Sequence, residues 1–386
     1  MKKITFSSIV LSLCLVTLLS GCFPSINSSQ ATSSAPASGS SEAQSVPSHV
    51  SKELNDDIVV DADVQYVNGK YSIYQSTYKQ FTEDSLVPIC LTNESVKTRG
   101  TVEDALYGDD ISIMTDKKSV LYIARDYFNF QKSEYGDYST FITGANENDY
   151  FLENMNEVYP HKKLSSLDEA GAEQKVKDVI QKLNLPVDEN SLQIYSLTAE
   201  SLNKQAAQFM TDEEYQADLN ARGKTLKHNF TSVDEAYLFV YHCHINGLPL
   251  HFDDYSAPSR NGVAVKGARV HALVNKNGLV MFQVHGIPDV QSVIKENIAI
   301  IPIDTALNAI KDKYKNTILT DKMKITDISL DYFPCNENKE KHSFSLTPVW
   351  AFSTELKTVT YDAKGKQETL KKNSILVNAV TGQEIR

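Results

Sequence analysis

The run from Ala236 to Ile245, Ala-Tyr-Leu-Phe-Val-Tyr-His-Cys-His-Ile, is the strongest strand signal in the chain. It ends at the turn pair Asn246-Gly247, and Leu248 to Phe252 resumes the extended pattern. Arg269 to Val274 and Leu279 to His285 flank Asn275-Lys276-Asn277-Gly278, a clear hairpin signal. Asp57 to Gln65 and Lys70 to Gln75 read as two strands around Asn68-Gly69, and Ser119 to Arg125 as another. The chain is therefore committed to antiparallel sheet over much of its length.

Helices are legible at two places. Ser166-Leu-Asp-Glu169 has the form of a capping box, and Val176, Val179, Ile180 and Leu183 follow at helical spacing until Asn184 and Pro186 stop it. Ile303, Ala306, Leu307, Ile310 and Tyr314 form a second stripe. A polar helix is expected over 199–221 and a strand over 192–197. After the second stripe, strands are expected over 325–333, 344–356 and 374–379, with a turn at Asp362 to Gly365. Helix-then-strands thus occurs twice, which predicts an α+β class: antiparallel sheets each packed by one or two helices. The expected division is 51–165, β-rich; 166–295, an α+β unit; and 296–386, a second α+β unit.

The first 50 residues are of another kind. Lys2 and Lys3 precede an apolar run from Ile4 to Leu19 that is too short to span a bilayer, where about 20 apolar residues are needed. The run ends in Leu19-Ser20-Gly21-Cys22, which resembles the lipobox of bacterial lipoproteins. That resemblance implies cleavage between Gly21 and Cys22, lipid (palmitate among it) on Cys22, and residence on the extracytoplasmic face of the membrane. Residues 1–21 are then the signal peptide. Residues 22–50, with ten serines between Ser25 and Val50, are then a tether too poor in apolar residues to order itself.

Composition narrows the partners. Lys and Arg number 38 against 49 Asp and Glu, a formal net charge of −11, so a phosphate backbone is repelled and nucleic acid is not an expected partner. Of the five cysteines, Cys90, Cys243 and Cys335 remain after the leader and the lipid site, an odd number without a Cys-x-x-Cys spacing.

The 296–386 unit resembles the PepSY-type domain and the extracytoplasmic YycH/YycI regulators of Gram-positive bacteria. The residues that carry this are Ile303 to Ile310, Pro348-Val349-Trp350 and Val377-Asn378-Ala379-Val380-Thr381-Gly382, with Asn246-Gly247-Leu248-Pro249-Leu250 in the middle unit. The resemblance implies a cystatin-like curl of sheet around a helix and a non-catalytic role. In those regulators a membrane-spanning helix provides the attachment; here a lipid would do so.

No catalytic signature accompanies it. Gly-x-Ser-x-Gly, His-Glu-x-x-His and phosphate-loop patterns are absent. His242, His244 and His251, with Asp253 and Asp254, are the densest metal-capable group. On a regular strand His242 and His244 share a face, and two such imidazoles can share a zinc. The alternative is that they decorate the solvated face of a half-buried strand. Adjacent acids such as Asp109-Asp110 and Asp253-Asp254 read as solvated loop residues. Tyr135, Tyr138, Phe141, Tyr150, Phe151 and Tyr159 form either a glycan- or protein-contact surface or core packing. The expected function is a lipid-anchored envelope protein, not an enzyme and without a cofactor, that binds a protein or peptide as sensor or modulator. A glycan- or wall-ligand-binding lipoprotein and a metal-dependent hydrolase are the alternatives.

Overall fold

The structure, a computed structural model, describes residues 46–385 apart from 105–107, 145–154, 212, 222, 224, 256–264, 266, 316, 318, 320, 339–341 and 363–364. Gly21, Cys22, Tyr150 and Phe151 lie outside the described residues. Strands β1 (His49–Asn55), β2 (Ile58–Gln65) and β3 (Tyr71–Tyr78) come first, then α1 (Glu83–Cys90). Next are β4 (Val96–Asp104), β5 (Gly108–Thr115), β6 (Val120–Ile123), β7 (Tyr127–Gln131), α2 (Gly136–Gly144), α3 (Met155–Val158) and α4 (Glu169–Lys182). The middle continues with β8 (Gln193–Leu197), α5 (Ala199–Met210), α6 (Glu213–Ala221), β9 (Ala236–His242), β10 (His244–Ile245), β11 (Leu248–Pro249), β12 (Arg269–Asn275) and β13 (Gly278–His285). The chain closes with β14 (Pro288–Ile298), α7 (Ile303–Tyr314), β15 (Met323–Asn338), β16 (Ser343–Asp362) and β17 (Gly365–Asn378). The class is mixed α+β, mostly antiparallel sheet with few helices, as the alternating patterns predict.

A central sheet of eight strands runs β4-β5-β6-β7-β13-β12-β9-β8. A terminal sheet of seven runs β1-β2-β15-β16-β3-β14, with β17 also on β16. Segments 51–165 and 166–295 each supply strands to both sheets, whereas 296–386 supplies the terminal sheet alone. The first three strands belong with the last four because β2 pairs in parallel with β15, Ile58 opposite Met323. β3 pairs with β14 and β16, so β2 and β3 are not the hairpin that Asn68-Gly69 suggests. The first hairpin instead joins β1 to β2 across Asp56-Asp57, where the Asp57 N–H donates to Asn55 Oδ1 at 2.9 Å. Order also begins earlier than expected: β1 starts at His49, and Val46 packs on the core.

Local corrections have clear causes. The cap of α4 is Asp168, whose carboxylate accepts from Gly171 N at 2.9 Å; Ser166 Oγ donates instead to Glu235 at 2.7 Å. A Cβ on Gly171 would lie 2.7 Å from that carboxylate oxygen. The helix expected over 199–221 divides into α5 and α6. The segment 51–165, expected to be β-rich, also contributes the helices α2 and α3 after β7.

One main core draws on both sheets, with Phe239 and Phe282 from the central sheet, Trp350 and Phe352 from the terminal sheet, and helices α4 and α7. Trp350 is buried, and its indole N–H donates to Ile301 O at 3.0 Å. A second core, on the opposite parity of β9 (Leu238, Val240), includes Phe141, Tyr159 and Leu202. Strand β9 is thus buried on both faces, not half-buried.

Candidate functional site

The five residues of the sequence-predicted cluster separate. After β9 the backbone is pulled out of regular pairing: Cys243 bridges to Val187, and the His244 N–H donates to Pro186 O at 2.8 Å. His242 stacks on Phe252 with ring centres 4.3 Å apart. Burial lowers its pKa, with the charges of Asp331 and Asp253 acting in the opposite sense. His244 is half-buried, its Nδ1 3.8 Å from the Asp188 carboxylate. His251 lies in the seam between the sheets, where Leu250 bridges in parallel to Tyr332 and the His251 N–H donates to Tyr332 O at 3.0 Å. Its Nδ1 is 2.9 Å from Asp331 Oδ2. Burial opposes the charged ring there, but the bond to Asp331 and the charges of Asp331, Asp253 and Asp254 outweigh it and raise the pKa. Asp254 accepts from Arg269 Nη1 at 2.8 Å, and Asp253 from Ser374 Oγ at 3.4 Å. Among the described residues no three His, Cys, Asp or Glu side chains are placed to hold a metal ion.

The missed neighbours are cross-strand ones. Arg269 stands opposite both His242 and His285, and His285 stacks on Tyr127 with ring centres 5.2 Å apart. His271, one step along the same face, is buried, and burial with the charge of Arg269 holds its pKa well below the ordinary histidine value. Only the register of β9, β12, β13 and β7 brings these residues together, so no spacing in the sequence announces them.

Other candidates also resolve. Tyr135, Tyr138, Phe141 and Tyr159 are buried in the second core, which removes them as a contact surface. Burial pushes the Tyr135 hydroxyl up to about 12. Asp110 is not a solvated loop acid; it is 5% exposed and accepts from the Tyr122 hydroxyl. Cys90, Cys243 and Cys335 are buried and not joined in disulfides, and burial pushes the Cys90 thiol up to about 12, away from thiolate chemistry.

Two exposed features remain. Strand β14 lies at the end of the terminal sheet's strand order and pairs with β3. Asp289 through Asn297 are all exposed, among them Val290, Val293 and Ile294 at 38, 47 and 52%. Three register shifts interrupt its pairing with β3, and bulges of this kind increase the local twist of a strand. The second feature is a polar pocket of about 160 Å³ over β15, β16 and β17. A bulge at Thr326 sets Asp327 opposite Ser353, and Ser353 is opposite Ser374.

No family profile matches the chain, and no curated protein does. Among solved structures it is similar to an uncharacterized protein from Eubacterium rectale ATCC 33656, with a TM-score of 0.61 and 14% identity over 88% of this chain and 94% of that one. The likeness is one of fold.

Proposed function

We propose that this chain is a lipid-anchored protein of the extracytoplasmic membrane face that acts without catalysis, docking an extended segment of an envelope protein on strand β14 as a sensor or modulator. The anchor reading rests on the Leu19-Ser20-Gly21-Cys22 lipobox. The observation that carries the docking reading is the run of nine exposed residues in β14, with three large apolar side chains within five positions. Single exposed apolar residues are ordinary, but a cluster of them on an open strand suits a partner that supplies its own strand and side chains. Segment 296–386, with α7 against β1 and β17, is read as the PepSY-like unit, a binding module in keeping with this role. The hydrolase alternative lacks a convergent ligand set among the described residues.

A photo-reactive residue at Val293, with a second at exposed Met210 as control, tests this in intact cells. Capture of one envelope protein from position 293, lost in Cys22→Ala and not seen from position 210, is expected. Equal capture from both positions, or none from 293, overturns the reading.

A further inference from the structure

We propose that the pocket over β15–β17 binds a small ammonium-bearing polyol of the amino-sugar class, independently of β14. The trough exists because two small residues face each other across the ladder. Ser353 and Ser374 are paired, with the Ala351–Leu376 row on one side and the Glu355–Lys372 row on the other. Ala351 and Leu376 belong to a small apolar core that Tyr255 covers, so that end is closed. Asp253 leans over the trough and accepts from Ser374 Oγ at 3.4 Å. The resulting volume of about 160 Å³ far exceeds the ~10–15 Å³ that one water needs and is below the ~300 Å³ of a drug-sized site, which sets the occupant's size.

The lining sets its chemistry. Lys372 is 3.2 Å from Glu355, an ion pair within the lining. Among the described residues neither Asp253 nor Asp327 forms an ion pair with a Lys or Arg, so the three carboxylates of the lining outnumber its one Lys and the pocket disfavours anions. No ring or aliphatic side chain lines it, so an apolar or purely stacking ligand gains nothing. Among the described residues no three His, Cys, Asp or Glu side chains here are placed to hold a metal ion. What fits is one ammonium held by Asp253 and Asp327, with neighbouring hydroxyls exchanging hydrogen bonds with Ser353 and Ser374. Charge-assisted bonds of this kind discriminate strongly against a neutral isostere.

The test is ligand-observed NMR titration of the purified full chain with glucosamine, and with glucose as its neutral isostere. Saturable glucosamine binding is expected, with glucose weaker by about tenfold, equal to ~1.4 kcal/mol. Asp327→Asn, a change at an exposed position, weakens glucosamine by a similar factor without moving the thermal midpoint. Ser353→Leu fills the trough and abolishes binding. Equal binding of the two sugars, no binding of either, or an unchanged Asp327→Asn titration overturns the proposal.

Discussion

The central sheet is assembled mostly from sequence neighbours, whereas the terminal sheet is assembled from the two ends of the chain. In the central sheet β4 through β7 pair in order, and β12 and β13 form a hairpin whose last pair is Asn275 with Gly278. In the terminal sheet β2 finds β15 and β3 finds β16, partners that lie beyond the whole central sheet. The same turn chemistry appears in both regions with different outcomes. Gly278 adopts φ +100°, the left-handed conformation its hairpin demands, while Gly69 has no such φ and open space around it. A turn pair specifies a hairpin only when its flanking strands have no better partner.

The largest expected effect tests whether the sheets are energetically one body. Phe282→Ala in the central sheet should cost about 3–5 kcal/mol. Trp350, the single tryptophan, reports on the terminal sheet. Because the main core contains both residues, the variant's fluorescence and circular-dichroism transitions in urea should coincide at a lower midpoint. Separated transitions would show two independent bodies.

The next effect contrasts the seam with the central sheet through pH. The raised pKa of His251 means that its pair with Asp331 stabilises fully below pH 6.5, and that this is lost as pH rises through the higher folded value. His271 works oppositely. Its depressed pKa lets the unfolded chain take up a proton first, so stability falls as pH drops below 6.5. Asp331→Asn should cost about 1–3 kcal/mol, most at pH 5–6, whereas His271→Gln should flatten the acid-side loss. Chemical denaturation across pH 5–8 reads both. Parallel curves for both variants would erase the contrast.

The smallest effect concerns the two turns. Gly278→Ala should cost about 1 kcal/mol, and Gly69→Ala no more than a few tenths in either direction, read as thermal midpoints. Equal shifts would mean that both glycines serve their turns alike.

The central sheet was the more legible for the same reason. Its hairpin at 269–285 and its buried strand at 236–242 are written in local pattern. The pairing of β2 with β15 is not, because nothing local to Ile58 names Met323. The candidate site suffered likewise. His242 and His244 do stand two apart, but Cys243 leaves the ladder to pair with Val187, and Asp331 on β15 claims His251. The pocket depends on three strands in register, so Asp327, Ser353 and Ser374 carry no signal when read in line.

The parallel seating of β2 beside β15 also imposes a timetable. As the chain emerges from its N-terminal end, Ile58, Val60 and Ala62 must wait for nearly all the rest before their flank is covered. The central sheet can form in that interval, but the terminal sheet cannot. A chain stopped before Met323 is left with a hairpin, β1–β2, whose inner flank is bare. That intermediate is the one a chaperone or protease would meet.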